Sequence, residues 1–417
     1  MSIGFSLKTR CRNIASFRQT LDDVASLHGY TTEHDETSST VGFCRLGFLQ
    51  FTYERDKRIA LRRNYLVCGE CQTNLVGAGF HKAAIEFVDE LALTTGRPIE
   101  VDDETGYYER RDFERMRSEH FYGWLRTLTD IIREEKEKGS KLSYICWPID
   151  GYKPDEVEGS IVSPFGRFCV GNLLKRVEEG GIEAFAREFF IWNEAEQDAR
   201  FHRNLALNAL WEDCRFMPSA RDYSDNDINA YILEHLEKAA CLDPALPFPK
   251  ECYLEICCLH EHKPIALDSL PDYESDYPIG YRRGWISHKI GNITFYTPGN
   301  HLEEEEGNGT LLFYDDAGED WHTTRCTAFR VTDDELAYTE VDDPLLEERI
   351  FDYGECRLYD AGEQTDGDEE KPFYMCTCHI LSAEQYTLLT FCASTQASVQ
   401  AYAREAVGRL RADKPQL

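Results

Sequence analysis

The sequence predicts an α+β protein in which two mixed sheet-and-helix units flank a helical middle region. Three observations support this class. Turn-bounded runs of β-forming residues alternate with helical runs in the first third of the chain and again near its end. Between them, apolar residues keep a helical period from Pro164 to Leu242. At 417 residues, the chain also exceeds what one hydrophobic core usually organises, so we expect more than one domain.

Composition and sequence pattern indicate a globular chain. Hydrophobic residues make up 42% and aromatic residues 12% of the sequence, which supplies enough apolar surface to build cores. The N-terminal segment lacks the apolar stretch of a secretion signal, and no window reaches the roughly 18 apolar residues of a membrane helix. We therefore expect a cytoplasmic protein with no membrane partner, whose 16 cysteines are reduced and mostly buried.

Residues 1–150 are predicted to form the first α+β domain. The clearest helix in it follows from Phe80, Ala84, Phe87 and Leu91, which only a 3.6-residue period places on one face. The predicted elements, in order, are a strand at 3–7, a helix ending at Gly29, strands at 41–53 and 59–71, the helix from Phe80, a short strand at 99–101 and a long helix from Asp112.

The junction between the predicted strand at 59–71 and the helix from Phe80 is the strongest candidate for a functional site. Gly77 and Gly79 permit backbone angles closed to other residues, and they leave the first amides of the helix uncovered. Uncovered amides attract anions, and His81 and Lys82 follow in the first turn. The residues predicted to bind an anion or other ligand are Gly77, Gly79, His81 and Lys82. The alternative is a close-packed strand-to-helix turn, because Gly-Ala-Gly lacks the Lys-Ser/Thr pair of a phosphate loop.

The same junction holds residues that an enzyme could use. Cys71 as nucleophile, His81 as base and Glu70 as orienting carboxylate are the catalytic candidates, provided that they meet in space. The acidic trio 102–104 offers a second acid–base hypothesis, because crowded carboxylates raise one another's pKa. A solvated turn explains that trio with fewer assumptions. An enzyme with its site at 68–82 is therefore the alternative function.

Residues 151–262 are predicted to form the helical middle region, and a Pro- and Asp-rich linker at 263–280 follows. Within the helical region, the segment 229–244 carries small residues at Ala230 and Ala239 and ends in Asp-Pro. In these features it resembles the second helix of a tetratricopeptide repeat. The resemblance covers about 34 residues, one repeat length, and has no second copy, so a plain helical hairpin is the alternative.

Residues 281–417 are predicted to form the second α+β domain. Short runs rich in β-forming residues alternate with turns, and a closing helix begins after Ser394 or Thr395. The predicted strands lie at 285–296, 310–314, 322–331, 355–359, 373–381 and 385–392. Acidic turns between strands are predicted at 303–306, 315–320 and 366–370.

Most of the formal charge of −31 is concentrated in this last domain. Between His301 and Glu370 there are 24 acidic residues and four arginines, a balance of −20 over 70 residues. Such a surface repels nucleic acid and steers a basic protein toward it, although it also serves solubility. We therefore expect a basic protein partner and no nucleic-acid partner. The residues predicted to bind that partner are Glu303, Glu304, Glu305, Glu306, Asp315 and Asp316.

One stretch of the sequence concentrates basic residues, namely Arg55, Lys57, Arg58, Arg62 and Arg63. Aromatic residues are not interleaved among them, which makes the stretch a poor nucleic-acid surface. Docking against the acidic C-terminal region, or plain solvation, is the expected role.

Soft metal ligands occur in several clusters, each of which fails on spacing. The best candidates for a structural zinc are Cys257, Cys258, His260 and His262. A buried pair of cysteines followed by a polar helix end is the more common arrangement of such residues. The acidic loops do not fit the ligand pattern of an EF-hand. We therefore predict no metal and no other cofactor.

Together, these observations predict a cytoplasmic protein-binding module without enzymatic activity. In its acidic, cytoplasmic character the chain is similar to bacterial toxin-immunity proteins, which predicts neutralisation of a partner or adaptor binding. The partner would be a basic protein held by the acidic residues of the last domain.

Overall fold

The computed structural model describes residues 2–55, 64–140, 153–154, 157–218, 223–306, 309–315, 321–330, 341–365, 372–382 and 385–414. Helices and antiparallel sheets are both present, with sheets on either side of a mainly helical stretch. The predicted α+β fold class is therefore confirmed.

The chain divides into two compact units, and each unit is assembled from separate segments. The first consists of Met1–Trp147, Val157–Leu210 and Asn229–Ile279, and the second of Pro148–Glu156, Trp211–Ile228 and Gly280–Leu417. The helical region 151–262 therefore contributes to both units.

An antiparallel sheet of six strands organises the first unit. The strands are β1 (Gly4–Cys11), β2 (Thr31–His34), β3 (Ser38–Cys44), β4 (Gly47–Arg55), β5 (Tyr65–Gln72) and β6 (Glu100–Asp103). They pair in the order β2-β3-β4-β5-β1-β6. Two helices, α1 (Ile14–Leu27) and α2 (Ala78–Thr95), share one hydrophobic core with this sheet.

The two helices form where the apolar period predicts them, and the structure adds a capping residue to the first. The side chain of Asn13 accepts a hydrogen bond from the amide of Ala15 at 2.9 Å and caps α1. Along α2, the predicted stripe that includes Phe80, Phe87 and Leu91 is fully buried. The sheet itself alternates, so one face of β1 enters the core and the other faces solvent.

The rest of the first unit is mainly helical. Two short helices, α3 (Tyr107–Arg110) and α4 (Phe113–Met116), lead through a π-helical turn at Arg117–Phe121 into α5 (Tyr122–Glu137). After β7 (Lys153–Pro154), which belongs to the second unit, a hairpin of β8 (Ser160–Ser163) and β9 (Gly166–Cys169) precedes the helical stretch. The helices of that stretch are α6 (Val170–Phe189), α7 (Ala199–Glu212), α8 (Tyr223–Leu242) and α9 (Lys250–Leu259).

Some element boundaries predicted for this part of the chain were wrong. The run 41–53 forms two strands, β3 and β4, because the chain turns at Leu46, whose φ of 62° is rare for a leucine. The helical period predicted from Pro164 begins only at Val170, because residues 160–169 form a hairpin. The strand predicted at 59–71 begins at Tyr65 in the structure, and residues 59–63 lie outside the described part of the chain.

The segment predicted as a linker, 263–280, is held in place by a buried carboxylate. Asp276 accepts hydrogen bonds from the amide of Cys169 at 3.0 Å, from Asn172 at 2.9 Å and from Arg176 at 2.8 Å. Its side chain is only 5% exposed. These bonds tie the segment to the start of α6.

The second unit is built on a larger antiparallel sheet. Its strands after β7 are β10 (Trp285–Ile290), β11 (Ile293–Pro298), β12 (Leu302–Glu306), β13 (Thr310–Tyr314), β14 (His322–Arg330), β15 (Leu345–Phe351), β16 (Gly354–Gln364), β17 (Phe373–Ser382), β18 (Gln385–Ala393) and β19 (Arg411–Ala412). Seven strands pair in the order β12-β13-β14-β18-β17-β16-β15, and a smaller sheet has the order β19-β11-β10-β7.

One terminal helix, α10 (Gln396–Arg409), closes the core of this unit. It begins at Thr395, whose hydroxyl accepts a hydrogen bond from the amide of Ser398 at 3.2 Å, so the predicted capping residue is confirmed. Its predicted core stripe, which includes Val399, Tyr402 and Ala406, is buried.

Three details of the second unit differ from the sequence predictions. The run 285–296 forms two strands that turn at Gly291, where φ is 59°. Residues 303–306, predicted as an acidic turn, belong to strand β12. Strand β15 was not predicted. The acidic turns predicted at 315–320 and 366–370 lie, apart from residue 315, outside the described residues.

Two further predictions concerned the burial of the cysteines and membrane-spanning helices. Nine of the fifteen described cysteines are buried, as predicted for residues packed as small apolar side chains, and none of the fifteen is in a disulfide. Among the described helices, none is both long enough and apolar enough to cross a bilayer.

The hydrogen bonds of Asp276 lead to a prediction about proteolysis. Replacement by alanine (Asp276→Ala) removes the three hydrogen bonds, so the 263–280 segment should open more often. Local opening of a segment controls how fast a protease cleaves it. We expect subtilisin to cut Asp276→Ala within 263–280 faster than it cuts the wild type. Asp272→Ala, which changes an exposed carboxylate in the same segment, is the control and should cleave at the wild-type rate. Equal rates for all three proteins would contradict the prediction.

Candidate functional site

His81, the central residue of the predicted site, lies in the first turn of α2 and is completely buried. Its Nδ1 is hydrogen-bonded to the hydroxyl of Thr73 at 3.0 Å, and its Nε2 lies 3.3 Å from the hydroxyl of Thr105. The same Nε2 lies 3.2 Å from a carboxylate oxygen of Asp103. Both ring nitrogens therefore have partners supplied by the protein.

Aromatic rings surround the imidazole on its remaining sides. Phe5 and Phe121 meet it edge-on, with ring centroids at 5.5 Å and 6.0 Å, and Tyr107 lies at 6.3 Å. Such a shell keeps water from the imidazole, which has no exposed surface. His81 and its hydrogen-bonded partners therefore form a buried polar network within the hydrophobic core of the first unit.

Asp103 is the charged member of this network. Burial raises the pKa of this carboxyl group, whereas the hydrogen bond and charge of His81 lower it. The amides of Tyr108 and Thr105, each at 2.8 Å, add two more hydrogen bonds. The pKa of Asp103 is consequently held well below its usual range. Sequence reasoning favoured a solvated turn at 102–104, whereas the side chain of Asp103 is fully buried.

The glycines of the predicted anion site are packed against protein. The amide of Gly79 donates to the carbonyl of Trp192 at 2.9 Å. A methyl group at Gly79 would lie 2.1 Å from the indole of Trp192, and Gly77 has a φ of 121° beside the same residue. Lys82 pairs with Glu86 at 3.0 Å and with Glu196 at 3.6 Å. The geometry at Gly77 and Gly79 is that of the close-packed turn which the sequence left open as the alternative.

The three catalytic candidates do not converge. Adjacent residues of a strand point to opposite faces of the sheet, and in β5 this leaves Glu70 exposed and Cys71 buried. The thiol of Cys71 donates to the carbonyl of Phe48 at 3.4 Å, and burial raises its pKa well above the ordinary value. Such a thiol is a poor nucleophile.

The zinc candidates are dispersed in a similar way. Cys257 is buried and Cys258 is exposed, while His262 is hydrogen-bonded to Glu237 at 2.7 Å. In the part of the chain that the structure describes, no three His, Cys, Asp or Glu side chains converge in a way that could hold a metal ion.

The acidic residues predicted to bind a partner lie mainly on one strand. Among the described strands, β12 lies at one edge of the seven-stranded sheet, and Glu303, Glu304 and Glu305 are exposed on it. Glu304 accepts a hydrogen bond from the hydroxyl of Tyr314 at 2.6 Å. The remaining acidic residue of this strand, Glu306, pairs with an arginine of β14.

Asp315 lies one residue beyond β13. Its amide donates to the carbonyl of His322 at 2.9 Å. Asp316, the last of the predicted partner-binding residues, lies outside the described residues.

The first unit contains a cluster of cationic side chains that the sequence did not predict. Lys8, Arg10, Arg12, Arg55 and Arg97 line one open cavity of about 850 Å³, which we call the basic groove. These residues come from three distant parts of the sequence, and only Arg55 belonged to the predicted basic stretch. The available signal was the two-residue spacing of 8, 10 and 12, which places these side chains on one face of an extended segment. Residues 57, 58, 62 and 63 of the predicted stretch lie outside the described residues.

Comparisons with known proteins add little. No protein-family model matches the chain, and no curated protein matches it. Among solved structures, a crystal structure of a protein from Bacteroides thetaiotaomicron VPI-5482 at 1.50 Å resolution is similar, with 16% identity and a TM-score of 0.24. The match covers 32% of this chain and 49% of that one, so the chain spans about half the length of that protein. At this TM-score the similarity carries no argument about function.

The close packing at Gly79 leads to a first prediction for this region. Gly79→Ala places a methyl group against Trp192, and we expect a loss of about 3 kcal/mol in the free energy of unfolding, the upper range for overpacking. Gly123→Ala is the control, since a methyl group there would have open space within helix α5. This substitution should raise the free energy of unfolding by about 0.5–1 kcal/mol. Urea unfolding measures both. Equal stability of Gly79→Ala and wild type would contradict the close-packed turn.

The buried network leads to a second prediction. Asp103→Asn should lower the free energy of unfolding by about 3 kcal/mol at neutral pH, because it removes one member of a buried pair. The folded-state pKa of Asp103 is depressed, so its contribution is present above the unfolded pKa of about 3.9 and is lost as the pH falls below it. The stability difference between wild type and variant should therefore be constant above about pH 5 and shrink in more acidic solution.

Asp102→Asn is the matched control, because Asp102 is the exposed neighbour on the same strand. Urea unfolding from about pH 3 to pH 7 should give near-wild-type stability for this variant throughout. A pH-independent difference for Asp103→Asn would show that the carboxylate charge plays no part in the network.

Proposed function

We propose that the protein is a cytoplasmic protein-binding module that captures a basic segment of a partner protein along β12. The observation that carries this proposal is the position of the acidic residues. Glu303, Glu304 and Glu305 lie on a strand that, in the part of the chain the structure describes, forms one edge of the seven-stranded sheet. An edge strand presents backbone donors and acceptors on one side, to which an extended chain can add as a further strand.

Charge complementarity defines the partner. Successive side chains of a strand point to opposite faces, so Glu303 and Glu305 share one face and Glu304 lies on the other. Within the described residues, Glu303 and Glu305 form no ion pair. A partner strand with basic side chains on both faces would satisfy these carboxylates while its backbone pairs with β12. Long-range attraction to the acidic domain would also speed its approach.

A neutralising or adaptor role follows naturally from such binding. A module that covers a basic surface of its partner blocks whatever that surface contacts, which is the way an immunity protein would act. The enzyme alternative at 68–82 has no supporting observation, because His81 is buried with both ring nitrogens engaged.

Charged side chains on an edge strand also have a purely protective effect, since they discourage pairing with other molecules. The two explanations differ in a measurable way. Protection predicts that no peptide adds to β12, whereas the proposed function predicts that a basic peptide adds and that an acidic one does not.

The prediction is that a labelled peptide of repeated Lys-Lys-Thr-Thr, about 10 residues long and with lysines on both faces of an extended strand, binds the full chain in fluorescence anisotropy, whereas the matching Glu-Glu-Thr-Thr peptide does not. Affinity should fall as salt rises from about 50 mM to about 200 mM, because screening shortens the reach of the charges. Reversal of all three exposed carboxylates (Glu303→Lys, Glu304→Lys, Glu305→Lys) should weaken binding by at least about tenfold, a loss of about 1.4 kcal/mol.

Two controls separate strand addition from charge alone. Reversal of Glu178, Glu179 and Glu183, which are exposed on α6, changes the net charge equally and should leave binding unchanged. A peptide methylated at alternate amides keeps its charge but cannot pair with an edge strand, and it should lose affinity. If the methylated peptide binds as well as the parent, β12 does not act by strand addition. If both triple variants weaken binding equally, the site is not β12.

A further inference from the structure

The basic groove lies at one end of the six-stranded sheet, where the strands bring distant residues together. β1 pairs with β5, β5 pairs with β4, and β6 joins the other side of β1. In this register Arg10 lies opposite Leu66, and Leu66 lies opposite Glu54. Lys8 lies opposite Glu100. The groove is therefore a product of strand pairing.

The groove has an excess of positive charge in a strongly acidic chain. Among the described residues that line it, five side chains are cationic and only two, Glu54 and Glu100, are carboxylates, whereas the whole chain carries −31. Within the described residues, Lys8, Arg12 and Arg55 form no ion pair with a carboxylate. Cations gathered in this way repel one another, and an anion placed between them relieves that repulsion.

The walls of the groove are fixed by backbone contacts. The hydroxyl of Thr9 donates to the carbonyl of Pro98 at 2.9 Å, and the guanidinium of Arg97 donates to the carbonyl of Arg10. The segment that carries Arg97 leaves α2 at Gly96, which adopts a left-handed conformation. Donors held in place before a ligand arrives lose little entropy on binding.

We propose that the basic groove binds a small organic molecule that carries two or more phosphate groups. Arginine presents paired N–H donors that match phosphate oxygens, and four of the five cations are arginines. Leu66 and Pro98 add an apolar part to the lining, against which the organic portion of the ligand packs. The volume of about 850 Å³ lies within the range of small-molecule sites, about 300–1,000 Å³.

The net charge favours a small ligand over a nucleic acid. A compact ligand sits within the groove beside its cations, where salt screens the attraction less than it does beyond a Debye length of about 8 Å. A long polyanion extends beyond the groove into the field of a chain of net charge −31, which repels it.

Isothermal titration calorimetry of the full chain tests the proposal with ATP, inorganic pyrophosphate, inorganic phosphate and adenosine as probes. We expect ATP and pyrophosphate to bind, phosphate to bind at least about tenfold more weakly, and adenosine not to bind. Affinity for ATP should fall as salt rises from about 50 mM to about 200 mM, because each cation–phosphate contact releases counterions. A single-stranded oligonucleotide should bind more weakly than ATP.

Variants locate the binding. Arg12→Glu with Arg55→Glu reverses two exposed cations of the groove and should weaken ATP binding by at least about tenfold. Arg126→Glu with Lys136→Glu is the matched control, because both residues are exposed on α5 and the net charge changes by the same amount. Circular dichroism and thermal unfolding verify that both double variants fold. If the groove variant does not fold, the single substitution Arg12→Ala should still weaken binding measurably.

Three outcomes would overturn the proposal. The first is the absence of binding of both ATP and pyrophosphate at about 1 mM ligand. The second is an equal loss of affinity in the groove variant and in its control, which would mean that binding follows net charge. The third is tighter binding of the oligonucleotide than of ATP, which would assign the groove to a macromolecule. None of these results depends on the acidic strand, so the proposed partner binding stands or falls separately.

Discussion

The first unit depends on a close approach of two backbone segments. The amide of Trp192 donates to the carbonyl of Val76 at 2.8 Å, and the carbonyl of Trp192 accepts from the amide of Gly79 at 2.9 Å. Because a side chain at Gly79 would collide with the indole, only glycine allows this approach. The pairing satisfies an amide at the start of α2 that would otherwise need water or an anion, and it joins the strand-to-helix junction to the chain that follows α6.

This contact explains why the residues at the junction that could take part in catalysis stabilise the packing of the protein. A helix that starts against Trp192 directs His81 into the core, where Thr73, Thr105 and Asp103 surround its nitrogens. A buried polar group is stable only when its hydrogen bonds are made within the protein. The network thus connects α2 to β6, and a histidine that resembles a catalytic base in the sequence stabilises the packing of the first unit.

The sequence predicted those features that depend on local periodicity. The stripe of α2, the cap of α10 at Thr395 and the α+β class follow from spacing and composition. The features that depend on contacts between residues far apart in the sequence could not be predicted from local spacing. Four consecutive glutamates have low strand propensity, and β12 forms because Phe313 and its neighbours on β13 offer a partner. The basic groove joins residues 8–12, 55 and 97, and Asp103 meets His81 across 22 positions. Only the tertiary fold brings such pairs together.

The segmented make-up of the first unit affects how the chain folds during synthesis. Asp276 contributes to this unit by binding Cys169 and Arg176, so the unit is complete only when translation has passed residue 279. At about 5–20 residues per second, the ribosome takes roughly 14 to 55 s to pass from the start of β1 to that point. The six-stranded sheet emerges long before Asp276 does. Nascent chains of this protein therefore present an incomplete core to chaperones until that segment has been made.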